Sequence, residues 1–175
     1  MASISIPDEK RTLGDVAVIR EFLAPFGIWY EKWDVAGRLD QDASSEQILE
    51  TYAPEIDRLK ENGGFVTADV INVTPETPGL DAMVAKFAKE HTHSEDEVRF
   101  FVRGSGLFCM HIGDEVFAML CEKDDLIAVP AGTRHWFDMG PHPSFTAIRF
   151  FNNPEGWVAR FTGDGIAAGF PRYDN

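Results

Sequence analysis

Apolar positions follow a helical period over the first half of the chain and an alternating, strand-like period from Glu97 onward. Between Ser44 and Lys60, Ile48, Tyr52, Ile56 and Leu59 recur at the spacing of one helix face. Ser44 and Gln47 form a capping box, Asn62-Gly63-Gly64 ends the run, and Pro54 inside it predicts a kink. Shorter helices are predicted from Asp15 to Leu23 and from Gly79 to Lys89, the latter with Leu80, Met83, Val84 and Phe87 on its apolar positions. FVTADVINV, from Phe65 to Val73, reads as a strand.

Past Glu97, β-branched and aromatic runs (EVRFFVR, LFCMHI, EVFAMLC, LIAVP, RHWFDM, SFTAIRFF) are separated by the turn signals GSG, GD, EKDD, AGT and GPHP. Short strands at hairpin spacing predict a mainly β fold, an antiparallel barrel or double-sheet jelly roll with flanking helices. No repeat, low-complexity tract or linker interrupts the chain, so a single domain is expected across residues 1–175. It divides into a helical N-terminal part to about residue 90, a barrel core over about 65–152 and a tail over 153–175.

Charge narrows the partners. The formal charge is −13, the pI is near 4.7, and the sixteen Lys and Arg are scattered. Nucleic acid and anionic membrane are thereby disfavoured, and a small molecule is the expected partner. The N-terminus lacks a basic start followed by an apolar segment, and no run approaches the roughly 18 apolar residues of a membrane span. A cytoplasmic chain is expected. With a tight turn at Gly113-Asp114, Ile112 faces Glu115 and Cys109 falls opposite Ala118 rather than Cys121, so the two cysteines are expected as free thiols that act as small apolar fillers.

Chemistry concentrates in EHTHSEDEVRFFVRGSG, Glu90 to Gly106, which holds two of the five histidines. In an extended segment His91, His93 and Glu97 share one face, and Arg99 shares it too, although a bend at Ser94-Glu95-Asp96 would break the alternation. His135 in PAGTRHW supplies a further donor from a new strand. Three imidazoles and a carboxylate suit a divalent first-row metal, and six-coordination would leave two positions open. Each feature also has a plain reading: the histidine pair as a solvated strand end, and Glu95 and Asp96 as surface charges. His111 reads as a strand residue and His142, between prolines, as a turn residue.

The joint pattern is more specific. HTHSEDE, six residues and Gly104 resemble the end of the first cupin motif, and PAGTRH resembles the centre of the second, with Pro130, Gly132 and His135 in place. The chain departs at Ala85 and Asp124, where glycines are expected, and at Met139, where an asparagine is expected. Within cupins, these blocks together with DLIAVPAGTRHWFDMG, IRFFNNPEGWV and the helical N-terminal part resemble the acireductone dioxygenase family. That resemblance implies a cupin-type barrel and one Fe(II) or Ni(II) per chain held by His91, His93, Glu97 and His135. It implies cleavage of an acireductone, an enediol able to bind as a dianion, by dioxygen in methionine salvage. The Fe(II) form would give a keto acid and formate, and the Ni(II) form a methylthio-carboxylic acid, formate and carbon monoxide. Arg99 and Arg149 match arginines near the family's metal. Phe87, Phe137 and Trp157 resemble its pocket walls, where ordinary core packing is the other reading. A monomer is expected. Another mononuclear metallocupin, or a non-catalytic ligand-binding cupin, would share the ligand pattern.

Overall fold

The structure is a computed structural model that describes residues 1–33 and 39–174. In chain order the elements are β1 (Ser3–Ile6), β2 (Arg11–Leu13), α1 (Val16–Leu23), β3 (Trp29–Lys32), α2 (Ser45–Thr51), α3 (Ala53–Gly63), β4 (Thr67–Val73) and α4 (Leu80–Phe87). There follow β5 (His91–Thr92), β6 (Glu97–Ile112), β7 (Glu115–Glu122), β8 (Asp125–Val129), β9 (Arg134–Asp138), β10 (Phe145–Phe151) and β11 (Arg160–Phe161).

The helices start where capping chemistry puts them. Asp15 Oδ1 accepts from the amides of Ala17 and Val18 at 2.9 and 3.2 Å. Ser44 and Gln47 cap each other reciprocally at the start of α2. The single kinked helix expected from Ser44 to Lys60 is two helices. Tyr52 leaves helical geometry at φ −98°, ψ 11°, and Pro54 sits in the first turn of α3, where its missing amide hydrogen has no intrahelical partner to lose.

All strand pairings are antiparallel. One sheet runs β4-β10-β6-β8-β3 and the other β11-β5-β9-β6-β7-β1-β2, so β6 belongs to both. Its first half, Glu97 to Gly104, pairs with β8 and β10; its second half, Ser105 to Ile112, pairs with β7 and β9.

This corrects the expectation of a turn at GSG: the segment is the crossing point of one continuous strand. Gly104 has φ +67°, and a Cβ there would lie 2.0 Å from the Ser144 carbonyl oxygen. A Cβ at Gly106 would lie 2.1 Å from the Phe137 ring. A register shift between Thr146 and Ala147 of β10 inserts one extra residue into β6.

Three short strands, β1 to β3, lie in the part where only helices were expected; runs such as SISI are too short to stand out by alternation. Two helices and Trp33 cover the outer face of one sheet, burying Ile48, Tyr52, Ile56 and Leu59 against Val98, Phe100 and Phe150. The barrel interior is the larger core, with Phe101, Phe108, Phe117, Phe137 and Phe145. A third cluster, Cys109, Val116, Trp136 and Ala167, lies beneath the C-terminal tail.

Cys109 faces Ala118 as expected; both cysteines are free and buried, and burial pushes the Cys109 thiol up to about 12. Asp124, standing where the motif has glycine, adopts φ +72°, a left-handed conformation that Asp tolerates better than most residues.

Candidate metal centre

His91 opens β5 and is the direct cross-strand partner of His135 in β9. His93 lies just past β5, where the chain bends. The bend is tied to the turn before β9 by two bonds: the Gly132 amide donates to the His93 carbonyl at 2.9 Å, and the Ala131 amide to Asp96 Oδ1 at 2.8 Å. Asp96 is therefore an exposed brace between the two loops that carry the site, while Glu95 is partly buried and Ser94 exposed. The bend does break strict alternation, yet Glu97 returns to the same place: its Oε2 is 2.8 Å from His135 Nε2 and 3.4 Å from His93 Nε2.

The candidate ligand nitrogens of His91, His93 and His135 lie within 4.8 Å of one another, and all three residues are buried. Each imidazole is oriented by a backbone carbonyl. Nδ1 of His91 donates to Lys89 at 2.6 Å, Nδ1 of His135 to Thr133 at 2.8 Å, and Nδ1 of His93 to Val158 at 3.3 Å. A carbonyl can only accept, so each Nδ1 carries the proton and each Nε2 keeps its lone pair.

Nε2 of His93, Nε2 of His135 and Oε2 of Glu97 are buried without a hydrogen-bond partner. Orphaned acceptors of this kind are costly unless a cation uses them, and the donor set fits a divalent first-row metal. The electrostatics agree. Burial, and then His135, hold His91 down at about 4, which keeps it neutral. Burial alone would raise the Glu97 carboxyl, but the Arg99 guanidinium outweighs it and holds it well below the usual carboxylate range.

Arg99 is buried at 2% exposure, and one terminal nitrogen donates to Glu97 Oε1 at 2.8 Å. Its Nε has no partner. Four rings surround the guanidinium: Phe137 at 5.1 Å, Trp157 at 5.2 Å, Phe108 at 5.5 Å and Phe87 at 5.9 Å. The three aromatics expected from the sequence thus gather at the site, with Phe108 as a fourth that sequence reasoning missed.

Arg149 is the cross-strand partner of Arg99, and its guanidinium lies 5.0 Å over Trp157. Its Nε and a terminal nitrogen, however, are both engaged by Asp69, at 2.8 and 2.6 Å. His142 lies in the exposed loop after β9, away from the cluster. His111 pairs with Glu90 at 2.6 Å on the far side of the strand, a contact the sequence did not signal.

A double antiparallel sheet closed around three inward-facing histidines and a carboxylate defines a cupin with a candidate mononuclear metal centre. Residues 16–159 match the ARD/ARD′ family. The acireductone dioxygenase of Stutzerimonas stutzeri (strain A1501) is 58% identical over 181 residues, covering 100% of both chains, and that of Marinobacter nauticus is 56% identical, covering 97% of this chain and 91% of its own. The solved acireductone dioxygenase from Bacillus anthracis, with cadmium ion in its active center, matches with a TM-score of 0.83 at 34% identity, covering 92% of this chain and 98% of that one. This chain belongs to the acireductone dioxygenase family.

Proposed function

We propose that the chain is a metal-dependent dioxygenase that cleaves 1,2-dihydroxy-3-keto-5-methylthiopentene with dioxygen in methionine salvage, using one Fe(II) or Ni(II) per chain. The observation that carries this reading is the set of buried, unpartnered donor atoms of His93, Glu97 and His135 beside His91 and Arg99. When bound, the divalent ion supplies Lewis acidity toward the enediol oxygens.

His91, His93 and His135 hold that ion as neutral donors whose Nδ1 protons are fixed on backbone carbonyls. Glu97 remains ionised, held so by Arg99. Three neutral imidazoles and one carboxylate leave about one net positive charge on a divalent centre, so a dianionic substrate needs a further cation. Arg99 meets that need, with an Nε free of protein partners. Arg149 does not, since Asp69 already engages its guanidinium; its contribution is to back the Trp157 ring. Phe87, Phe108, Phe137 and Trp157 exclude water and receive the thioether tail, whose sulfur is well matched to aromatic rings. The acidic composition and two buried thiols support a cytoplasmic monomer, and among the described residues no helix is long and apolar enough to cross a membrane.

The test is metal replacement. Metal-stripped chain is reloaded separately with Fe(II) and with Ni(II), metal content is measured by mass spectrometry, and dioxygen uptake and products are followed with the acireductone. The Fe(II) form is expected to give 4-methylthio-2-oxobutanoate and formate, and the Ni(II) form methylthiopropanoate, formate and carbon monoxide. Carbon monoxide from neither form would reject the dual chemistry. No dioxygen uptake by either would reject the dioxygenase reading in favour of a ligand-binding cupin.

A further inference from the structure

Behind the metal strand, on the opposite side from the histidine cluster, Glu90 has a fully covered side chain. Oε2 of Glu90 accepts from His111 Nδ1 at 2.6 Å, and Oε1 accepts from the Thr162 hydroxyl at 2.7 Å. The Glu90 carbonyl also accepts from the Thr162 amide at 3.2 Å. These residues come from three places: the position before β5, the end of β6 and the position after β11. None of them belongs to the candidate metal group of His91, His93 and His135.

What the network tethers is the C-terminal segment from Asn153 to Thr162, which crosses the site. That segment provides the Val158 carbonyl that orients His93, and the Trp157 ring, 5.2 Å from Arg99 and 6.1 Å from His93. It also provides Phe161, whose ring is 6.1 Å from His91. At its far end the strand pairing is short. β11 pairs with β5 at two positions only, Arg160 with Thr92 and Phe161 with His91, and Arg160 to Thr162 are exposed. A buried carboxylate is held in place by its need for partners, because leaving either oxygen unsatisfied carries the full desolvation penalty. Glu90 is thus the buried polar anchor of a segment that is otherwise exposed at this end.

We propose that Glu90, His111 and Thr162 are positioning residues of the metal centre, fixing the C-terminal segment so that Val158 sets the His93 ring and Trp157 closes the pocket over Arg99. The proposal rests on the reading of His91, His93, Glu97 and His135 as metal ligands. It predicts that metal affinity responds to a hydroxyl on the far side of the strand from the ligands. Thr162 is exposed, so replacing it spares the core.

The experiment uses the full chain and two variants: Thr162→Val, which removes the hydroxyl and keeps the shape, and Thr162→Ser, which keeps the hydroxyl. Ni(II) affinity of the metal-stripped proteins is measured by competition with a chromophoric chelator, alongside amide exchange at residues 158–162 and the melting temperature of the metal-free chain. Removing a hydrogen-bond partner that orients a ligand typically weakens metal binding about tenfold or more. Thr162→Val is expected to show such a loss with faster exchange, and Thr162→Ser to restore both. Unchanged Ni(II) affinity in Thr162→Val would overturn the proposal, as would an affinity loss that Thr162→Ser shares or a lower melting temperature with Ni(II) binding intact. A parent chain that binds no Ni(II) would overturn the metal-centre reading itself, and that result is read before any variant is compared.

Discussion

Arg99 is the residue on which charge and packing converge. Its guanidinium is buried among four rings and bonded to Glu97, so it neutralises the one carboxylate of the cluster in the metal-free state. Removing one partner of a buried ion pair typically costs about 3–5 kcal/mol, because the other charge is left uncompensated. Arg99→Met is therefore expected to destabilise the metal-free chain by that order in urea denaturation, and the Ni(II)-loaded chain by less, since the ion then faces Glu97. Metal content should stay near one per chain while KM for the acireductone rises. Equal stability of variant and parent without metal, together with an unchanged KM, would show that Arg99 is neither the carboxylate's counter-charge nor the substrate's. His91, His93, Glu97, Arg99 and His135 were singled out in the sequence by the resemblance of two motif blocks, which the shared parity of the first four supported but did not establish. The commitment of Arg149 to Asp69 was not legible, because Asp69 lies 80 positions away and nothing local links the two.

At the scale of the element, β6 explains both what the pattern revealed and what it hid. Odd-numbered Glu97, Arg99 and Phe101 face the barrel interior, whereas beyond the extra residue near Val102 the even-numbered Phe108 and Met110 do so. Cys109 and His111 consequently point outward, toward the tail and Glu90. Alternation extended through the whole strand would place Phe108 on the outer face, and the turn expected at GSG left it unlinked to the Arg99 segment. β4 and β7 to β10 were legible from residue type, whereas β1 to β3 and the continuity of β6 through GSG were not. Nor was the bulge, since it shows only in the pairing with β10, and the neighbouring Gly104 is kept bare by Ser144, forty residues away. Gly106 makes the packing testable: a methyl group there meets Phe137, and overpacking of this kind costs about 1–3 kcal/mol. Gly106→Ala is expected to lose that much stability in urea and to raise KM, because Phe137 also faces Arg99. Gly14→Ala, with nothing within 4 Å of the new Cβ and no positive φ, should be nearly silent and serves as the control.

Across the whole molecule, the four candidate ligands come from β5, the bend after it, β6 and β9, so the cluster exists only when the barrel is closed. Metal binding should then favour the folded chain by mass action. Ni(II) at about a hundred times its Kd adds about 2.7 kcal/mol, assuming that the unfolded chain does not bind it. At roughly 2–4 °C per kcal/mol for a chain of this size, the melting temperature should rise by roughly 5–11 °C and keep rising with Ni(II) concentration. Calorimetry over a Ni(II) series checks this, and a melting temperature indifferent to Ni(II) would contradict a site assembled by the fold. The pairing of β1 with β7 has a different consequence, one of time. Ser3 finds its partner at Leu120, so β1, paired locally with β2, must wait for more than a hundred further residues before it can join β7. At a synthesis rate of roughly 5–20 residues per second, the β7-facing edge of the β1-β2 hairpin stays open on the nascent chain for on the order of ten seconds. A strand edge left open for that long is a natural handle for a chaperone.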